Sequence, residues 1–328
     1  MTDQGNMSMR GRIDPESLKG LDAALTLTGP GGVGAIADLA ARRAKVAEMM
    51  AATREGPSSE QLCVVDHVTI AGPGGELRIR LYRPVGAGSN PPGMLFIHGG
   101  GMILGNLDLE DSVAQQVAVA SGAITASVDY RLAPEAPFPA AIEDCFAALT
   151  WFAAAATELG FDPRRLVVYG GSAGGGLAVA TALVARDRGF AGIHFVMAPY
   201  PMLDCRNQTP SSRQIVDVGV WDRAGNIEAW AHYLGGTVQV EHVSPYASPS
   251  LAEDLSNLPP MFFDVGDVDL FRDEVVDFAL RSVQAGNVVE LHLYPGSYHS
   301  SEIFAPEAEL SETIWQTRFR ALERALRD

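Results

Sequence analysis

The chain has 328 residues, 47% of them hydrophobic, enough to bury one large core with a smaller layer on top. Its 40 acidic and 24 basic residues give a formal charge of −16, which repels phosphate backbones and anionic lipid and argues against nucleic acid and membrane surfaces as partners. Cys63, Cys145 and Cys205 are odd in number and lack metal-ligand spacing, and the polar N-terminus carries no signal-like or spanning apolar run, so free thiols and a cytoplasmic protein are expected.

Residues 1–12 read as a loose tail. Helical patterns come next near 14–26 and 35–53, separated by Gly29-Pro30-Gly31-Gly32. This break is a linker rather than a phosphate loop, because no strand precedes it and no G-K-[ST] comes after it. In the second helix Ile36, Leu39, Val46, Met49 and Met50 share a face opposite Arg42, Lys45 and Glu48. Both helices precede the first strand and are expected to form a lid over the later domain.

The sheet begins at Cys63. Segments 64–70 and 77–82 alternate apolar with polar residues, and Gly72-Pro73-Gly74-Gly75 joins them as a hairpin. Met94-Leu95-Phe96-Ile97 is a continuous apolar run, as befits a central strand covered on both faces. Further strands are expected at 123–128, 166–169, 193–198, 261–265 and 288–294, with helices near 137–157, after Ser172, and near 271–286 and 307–326. This alternation implies an α/β domain with a mostly parallel sheet and helices on both faces. Residues 201–257 interrupt it. They carry Trp221, Trp230 and Tyr233, too apolar for a bare loop, and read as part of a small helical lid.

Gly170-Gly171-Ser172-Ala173-Gly174 lies between an expected strand and an expected helix and matches G-x-S-x-G. A serine on so sharp a turn is strained and exposed, and glycines two residues away on either side leave room for it. Open parallel sheets bind ligands at the carboxyl ends of their strands. There the sequence places His98-Gly99-Gly100-Gly101, Ser172, a run of aspartates and His299. A serine nucleophile needs an imidazole to take its proton, and the imidazole needs an orienting carboxylate. Of seven histidines, only His299 comes after the last strand, in the loop after Pro295-Gly296-Ser297-Tyr298. Asp264, Asp267, Asp269 and Asp273 all end or follow one strand, and one of the four is the expected acid. The three glycines after His98, together with the N–H of Ala173, are the expected oxyanion donors. His98 could orient that loop by hydrogen bonding.

These segments resemble the hormone-sensitive-lipase-like carboxylesterases of the α/β-hydrolase superfamily. The likeness rests on His98–Gly101, Asp129–Glu135, Pro137–Asp144, Gly170–Gly175, Asp269–Glu274 and Pro295–His299, in family order over roughly residues 65–300. It implies an α/β-hydrolase fold with a catalytic domain over 61–328, N-terminal cap helices over 1–60 and a cap insertion at about 201–257. It implies Asp269 as the acid, Gly100 and Gly101 with Ala173 as the oxyanion hole, and structural roles for Arg131 and Glu135. Three positions depart from the family pattern. Gly171 replaces the usual aspartate or threonine, Met102 a common aromatic, and Ser300-Ser301 the usual Gly-Phe.

The expected activity is hydrolysis of short- to medium-chain acyl esters through Ser172, His299 and Asp269, with no metal or cofactor. Amide or lactone hydrolysis uses the same parts, and a non-catalytic small-molecule receptor is the alternative from another class. Met102, Trp221 and Trp230 are the expected substrate-pocket residues. A small-molecule ester is the expected partner, and homo-oligomerisation stays open.

Overall fold

A computed structural model of the chain describes residues 9–29, 31–53, 62–218 and 220–327. The helices are α1 (Pro15–Thr28), α2 (Leu39–Thr53), α3 (Asp111–Ser121), α4 (Ala140–Ala154), α5 (Ala156–Leu159), α6 (Ala173–Asp187), α7 (Pro210–Gln214), α8 (Arg223–Tyr233), α9 (Arg272–Gln284), α10 (Ser301–Phe304) and α11 (Glu309–Ala325). The strands are β1 (Cys63–Gly72), β2 (Gly75–Pro84), β3 (Pro92–Ile97), β4 (Ile124–Val128), β5 (Asp162–Gly170), β6 (Ile193–Pro199), β7 (Met261–Val268) and β8 (Val289–Tyr298). They form one eight-stranded sheet in the order β1-β2-β4-β3-β5-β6-β7-β8. Only the β1–β2 and β2–β4 pairings are antiparallel. The others are parallel.

The alternation of side chains across the pleat divides the core in two. Leu95, Ile97, Val168 and Val196 face one large apolar cluster that also holds residues of α4, α6 and α9. Phe96, Tyr169, Met197 and Phe262 face the other, closed by Val113 and Val117 of α3 and Ala321 and Leu322 of α11. Each fully buried Val, Leu or Phe contributes roughly 1.5–3 kcal/mol. The two antiparallel strands at one edge carry exposed Val64 and intermediate positions instead, since only one of their faces is covered.

Several boundaries differ from the expectation. Residues 9–12 of the expected loose tail form a 3₁₀ turn, Met9–Arg12, and Ile13 after it lies in the core. Residues 1–8, Pro30 and the end of the expected cap at 54–60 lie outside the described residues, as does the side chain of Met50. α1 starts where Pro15 succeeds Asp14, whose carboxylate caps the N–H groups of Glu16 and Ser17. α3 was not expected. Its Val113–Val117 spacing, with Gly122 in the left-handed conformation at its end, is a short helical signal. α10, a single turn beyond His299, was not expected either.

The N-terminal helices and the insertion meet above the carboxyl ends of the strands. Arg42 of α2 makes a paired bond to Glu228 of α8, with N–O distances of 2.8 and 3.2 Å. Its neighbour Arg43 reaches Ile103 O, Ala133 O and Glu135, tying the same helix to the loop after β3. Among the described residues no helix is long and apolar enough to cross a membrane. Cys63, Cys145 and Cys205 are free and buried.

Candidate active site

β5 ends at Gly170 and α6 begins at Ala173, leaving Ser172 on the turn with φ 57° and ψ −123°. That conformation is costly for a residue with a side chain and is held from several sides. Ser172 N donates to Pro199 O, while Ser172 O accepts from Met202 N and Gly176 N. A Cβ at Gly174 would stand 2.0 Å from Ile97 O, and one at Gly170 would stand 2.3 Å from Gly174 O. The glycines of G-x-S-x-G are therefore steric requirements of the turn.

Ser172 Oγ lies 3.0 Å from His299 Nε2, and His299 Nδ1 lies 2.9 Å from Asp269 Oδ2. Asp269 has no exposed surface, and its other oxygen accepts from Phe271 N at 2.9 Å. With Nδ1–H committed to the carboxylate, Nε2 presents a lone pair to the hydroxyl, the tautomer that proton removal needs. The rings of Tyr200 and Phe271 flank His299 edge-on, with centroids 4.9 and 5.2 Å away.

Four aspartates were candidates for this position, and each now has a place. Asp264 pairs with Arg318 in the interior, at 2.7 and 3.0 Å. Asp267 is not in the connecting loop but inside β7, where it accepts from Gly296 N and pairs with Arg12. Asp273 starts α9 and accepts from Ser211 N. Asp269 alone meets the histidine. The expected loop 295–298 is also strand: β8 continues through Tyr298 after a register shift, and His299 is the first residue beyond it.

The loop after β3 turns at Gly100 and Gly101, with φ of 103° and 64°, conformations that favour glycine. Among the described residues the N–H groups of Gly100, Gly101 and Ala173 have no protein acceptor. Gly99 is different, because its N–H donates to Glu110 Oε1 at 3.2 Å. Ala173 opens α6, where the helix dipole also favours negative charge, and the loop that carries Gly100 and Gly101 meets the serine at Gly99, whose added Cβ would stand 3.4 Å from Ser172 Cβ.

His98 holds this loop from behind. Its Nδ1 bonds Gly99 O at 2.8 Å, its ring stacks on Tyr130 at 4.2 Å, and Tyr130 Oη donates to His98 O at 2.9 Å. Burial pushes the His98 imidazole down to about 4, so it is neutral at physiological pH. Burial likewise pushes the Glu110 carboxyl up to about 8, with Glu302 adding to the rise and the Gly99 N–H and Arg318 opposing it.

The expected pocket residues separate. Trp221 stands over the loop: a Cβ on Gly101 would be 2.3 Å from its Cη2, and its Nε1 donates to Asn226. Trp230 has no exposed surface and packs beside Tyr233 in the interior of the insertion. Met102 is 2% exposed and joins the large core cluster, its backbone left-handed at φ 59°. A small apolar cavity of about 120 Å³ lies between the N-terminal helices and the insertion, lined by Leu25, Val33, Val46, Leu109, Val220 and Phe304 among others. Arg131 and Glu135 have the supporting places expected, on Asp144 and Arg43 respectively.

Sequence reasoning missed Glu110, Tyr200, Phe271, Glu302 and Arg318. Phe271 sits inside the motif segment Asp269–Glu274 and was within reach. The others carry no local signature.

A strand–serine–helix turn at the centre of a mostly parallel sheet, with a histidine and a carboxylate after the last two strands, defines an α/β-hydrolase with a serine site. The chain belongs to the hormone-sensitive-lipase-like bacterial carboxylesterases of the α/β-hydrolase superfamily and is a carboxylic ester hydrolase. A family model for the alpha/beta hydrolase fold matches residues 94–302. Esterase LipI of Mycobacterium tuberculosis is 37% identical over 238 residues, 72% of this chain and 74% of LipI. Carboxylesterase NlhH of the same organism is 37% identical over 252 residues, 76% of this chain and 79% of NlhH. Among solved structures, a bacterial heroin esterase superposes with a TM-score of 0.90 at 38% identity, covering 97% of this chain and 99% of its own.

Proposed function

We propose that the protein hydrolyses short- to medium-chain acyl esters by covalent catalysis. Ser172 is the nucleophile, His299 the general base and acid, and Asp269 the orienting acid. Ser172 Oγ attacks the ester carbonyl as His299 Nε2 takes its proton. The tetrahedral oxyanion is held by the N–H groups of Gly100, Gly101 and Ala173, which need no reorganisation at that moment. The imidazolium, stabilised by Asp269, gives its proton to the leaving alcohol. Water enters on the same side, is deprotonated by His299, and releases the acid from the acyl-enzyme.

The observation that carries this reading is the unbroken chain from Ser172 Oγ through His299 to buried Asp269, at 3.0 and 2.9 Å, together with three unoccupied N–H donors. The preference for short chains rests on Trp221, which stands over the oxyanion loop. The N-terminal helices and the insertion serve as the cap, tied together by Arg42 and Glu228.

Ser172→Ala is expected to fold normally, to lose at least about 10⁴-fold in turnover, and to resist fluorophosphonate labelling. Activity within tenfold of the unchanged protein, or labelling at another residue, would overturn the assignment.

A further inference from the structure

Behind His299 lies a buried ion cluster that the mechanism above does not use. Arg318 of α11 is 1% exposed and binds both oxygens of Asp264 and, at 2.6 Å, Oε1 of Glu302. The same Glu302 oxygen accepts from Tyr200 Oη at 2.7 Å, and Arg318 Cζ lies 5.2 Å from the centre of the Tyr200 ring. Burial holds the Tyr200 phenol well above its usual range, so it remains a donor. Tyr200 N in turn donates to Asp264 O at 2.7 Å. Tyr200 is thus gripped at backbone, ring face and hydroxyl by one cluster, and its φ is +33°, a conformation that residues with side chains rarely hold without such restraint.

The free edge of this ring is turned to the reaction centre. It meets the His299 imidazole at 67°, and Phe271 meets the same imidazole at 81°. On the serine side, a Cβ at Gly171 would approach Tyr200 Cε2 to 3.3 Å and its hydroxyl to 3.5 Å. The ring therefore fills the space between the residue before Ser172 and the imidazole. This places two of the unusual sequence features in one device. Gly171 leaves room for the ring, and the helical turn opened by Ser300 and Ser301, with Ser300 left-handed at φ 58°, brings Glu302 back three residues after His299 to hold it. A buried ion cluster is seldom more stable than apolar residues of the same shape, so a specific geometric role is a physical reason for this one.

We propose that Tyr200 is a positioning residue for His299, keyed by its hydroxyl to Glu302 and Arg318, and that this wedge fixes the plane of the imidazole between Ser172 and Asp269. The inference rests on His299 being the base. The second ring against the imidazole, Phe271, is set by the same turn that presents Asp269, whose carboxylate accepts from the Phe271 N–H.

The test is steady-state hydrolysis of p-nitrophenyl acetate by Tyr200→Phe, Glu302→Ala, Glu302→Gln and the Tyr200→Phe/Glu302→Ala pair, beside His299→Asn. Tyr200→Phe keeps the ring and removes the key. Its kcat is expected to fall roughly tenfold with KM within about twofold, the pattern of a misaligned base. Glu302→Ala should match it, the double variant should be no worse than either, and Glu302→Gln, which restores an acceptor for the hydroxyl, should recover most of the loss. Wild-type kcat in Tyr200→Phe overturns the proposal, as does a loss seen only in KM or in melting temperature. If Glu302→Ala fails to fold, Tyr200→Phe alone decides. Residual activity near wild type in His299→Asn would instead sink the triad assignment, and so is told apart from failure of the wedge.

Discussion

Replacing Asp269 by asparagine removes a charge without changing shape, and the hydrogen bonds around it set the consequence. The carboxylate makes two bonds of 2.9 Å, one to His299 Nδ1 and one to the N–H of Phe271, and both partners present hydrogens. An amide has only one acceptor oxygen. If that oxygen serves His299, the NH₂ group is forced against the Phe271 N–H. If the oxygen serves Phe271, the NH₂ group donates to Nδ1, the imidazole takes the other tautomer, and Nε2 carries a proton where Ser172 needs a lone pair. The second arrangement satisfies every bond and should dominate. Turnover is then expected to fall by about 10⁴, as it does when other triads receive this change. That corresponds to about 5.4 kcal/mol of barrier. The fold should survive, because a neutral group in this unexposed site costs less to bury than a charge. The control is Asp267→Asn, two residues earlier on β7. It loses a charge-assisted bond to Gly296 N and its pairing with Arg12, worth about 1.5–3 kcal/mol of stability, but touches no reacting group. Its turnover should stay within about tenfold. Measuring kcat/KM on p-nitrophenyl acetate, with thermal unfolding of both variants, decides the matter. Equal losses in the two, or a larger loss in Asp267→Asn, would refute the tautomer assignment.

Three further outcomes are expected. Gly101→Ala puts a methyl into Trp221 and a side chain at φ 64°, so the oxyanion loop must shift; kcat should fall about 10²–10³-fold, and a loss under threefold would show that the loop carries no oxyanion donor. His98 is held near 4 when folded and returns to about 6.5 when unfolded, so the unfolded chain binds the extra proton between those values and the His98 contribution to stability is lost as pH drops from about 6.5 to 4, by roughly 3 kcal/mol, while Glu110, raised to about 8, contributes in the opposite sense. His98→Asn should change the slope of the stability curve measured by urea unfolding towards greater relative stability at the acid end of that range, and an unchanged slope would show that His98 does not contribute to it. Along a p-nitrophenyl ester series, kcat/KM should peak between roughly C2 and C6, since each methylene helps only while the pocket can bury it, and a peak at C12 or beyond would mean that the cap opens onto a long channel.

What the sequence determined by itself was the part written in local chemistry. Met94–Ile97 read as a strand covered on both faces and Gly72–Gly75 as a hairpin turn, and the structure has both. The turn at Ser172 was legible because glycine two residues to either side is a steric demand of that backbone, satisfied within five positions. The helical turn of α10 escaped because it is too short for a period to show, and α3 because its signal is confined to the short Val113–Val117 spacing.

Tertiary structure decided which groups meet. Four aspartates within ten residues offer the same chemistry, and no local rule separates them. The choice is made by the pairing of β7 with β8, where a shift after Gly266 sets Val268 opposite Tyr298 and so lays Asp269 beside His299. Trp230 could be placed by sequence only as an aromatic of the insertion, because aromatic residues serve pockets and cores alike, and the structure packs it unexposed beside Tyr233. Arg318 reads in sequence as one more charge on an amphipathic helix. Its partners Asp264, Glu302 and Tyr200 lie 54, 16 and 118 positions away, and a contact between residues so far apart in the chain is fixed by packing of the whole sheet against α11, not by anything written next to it.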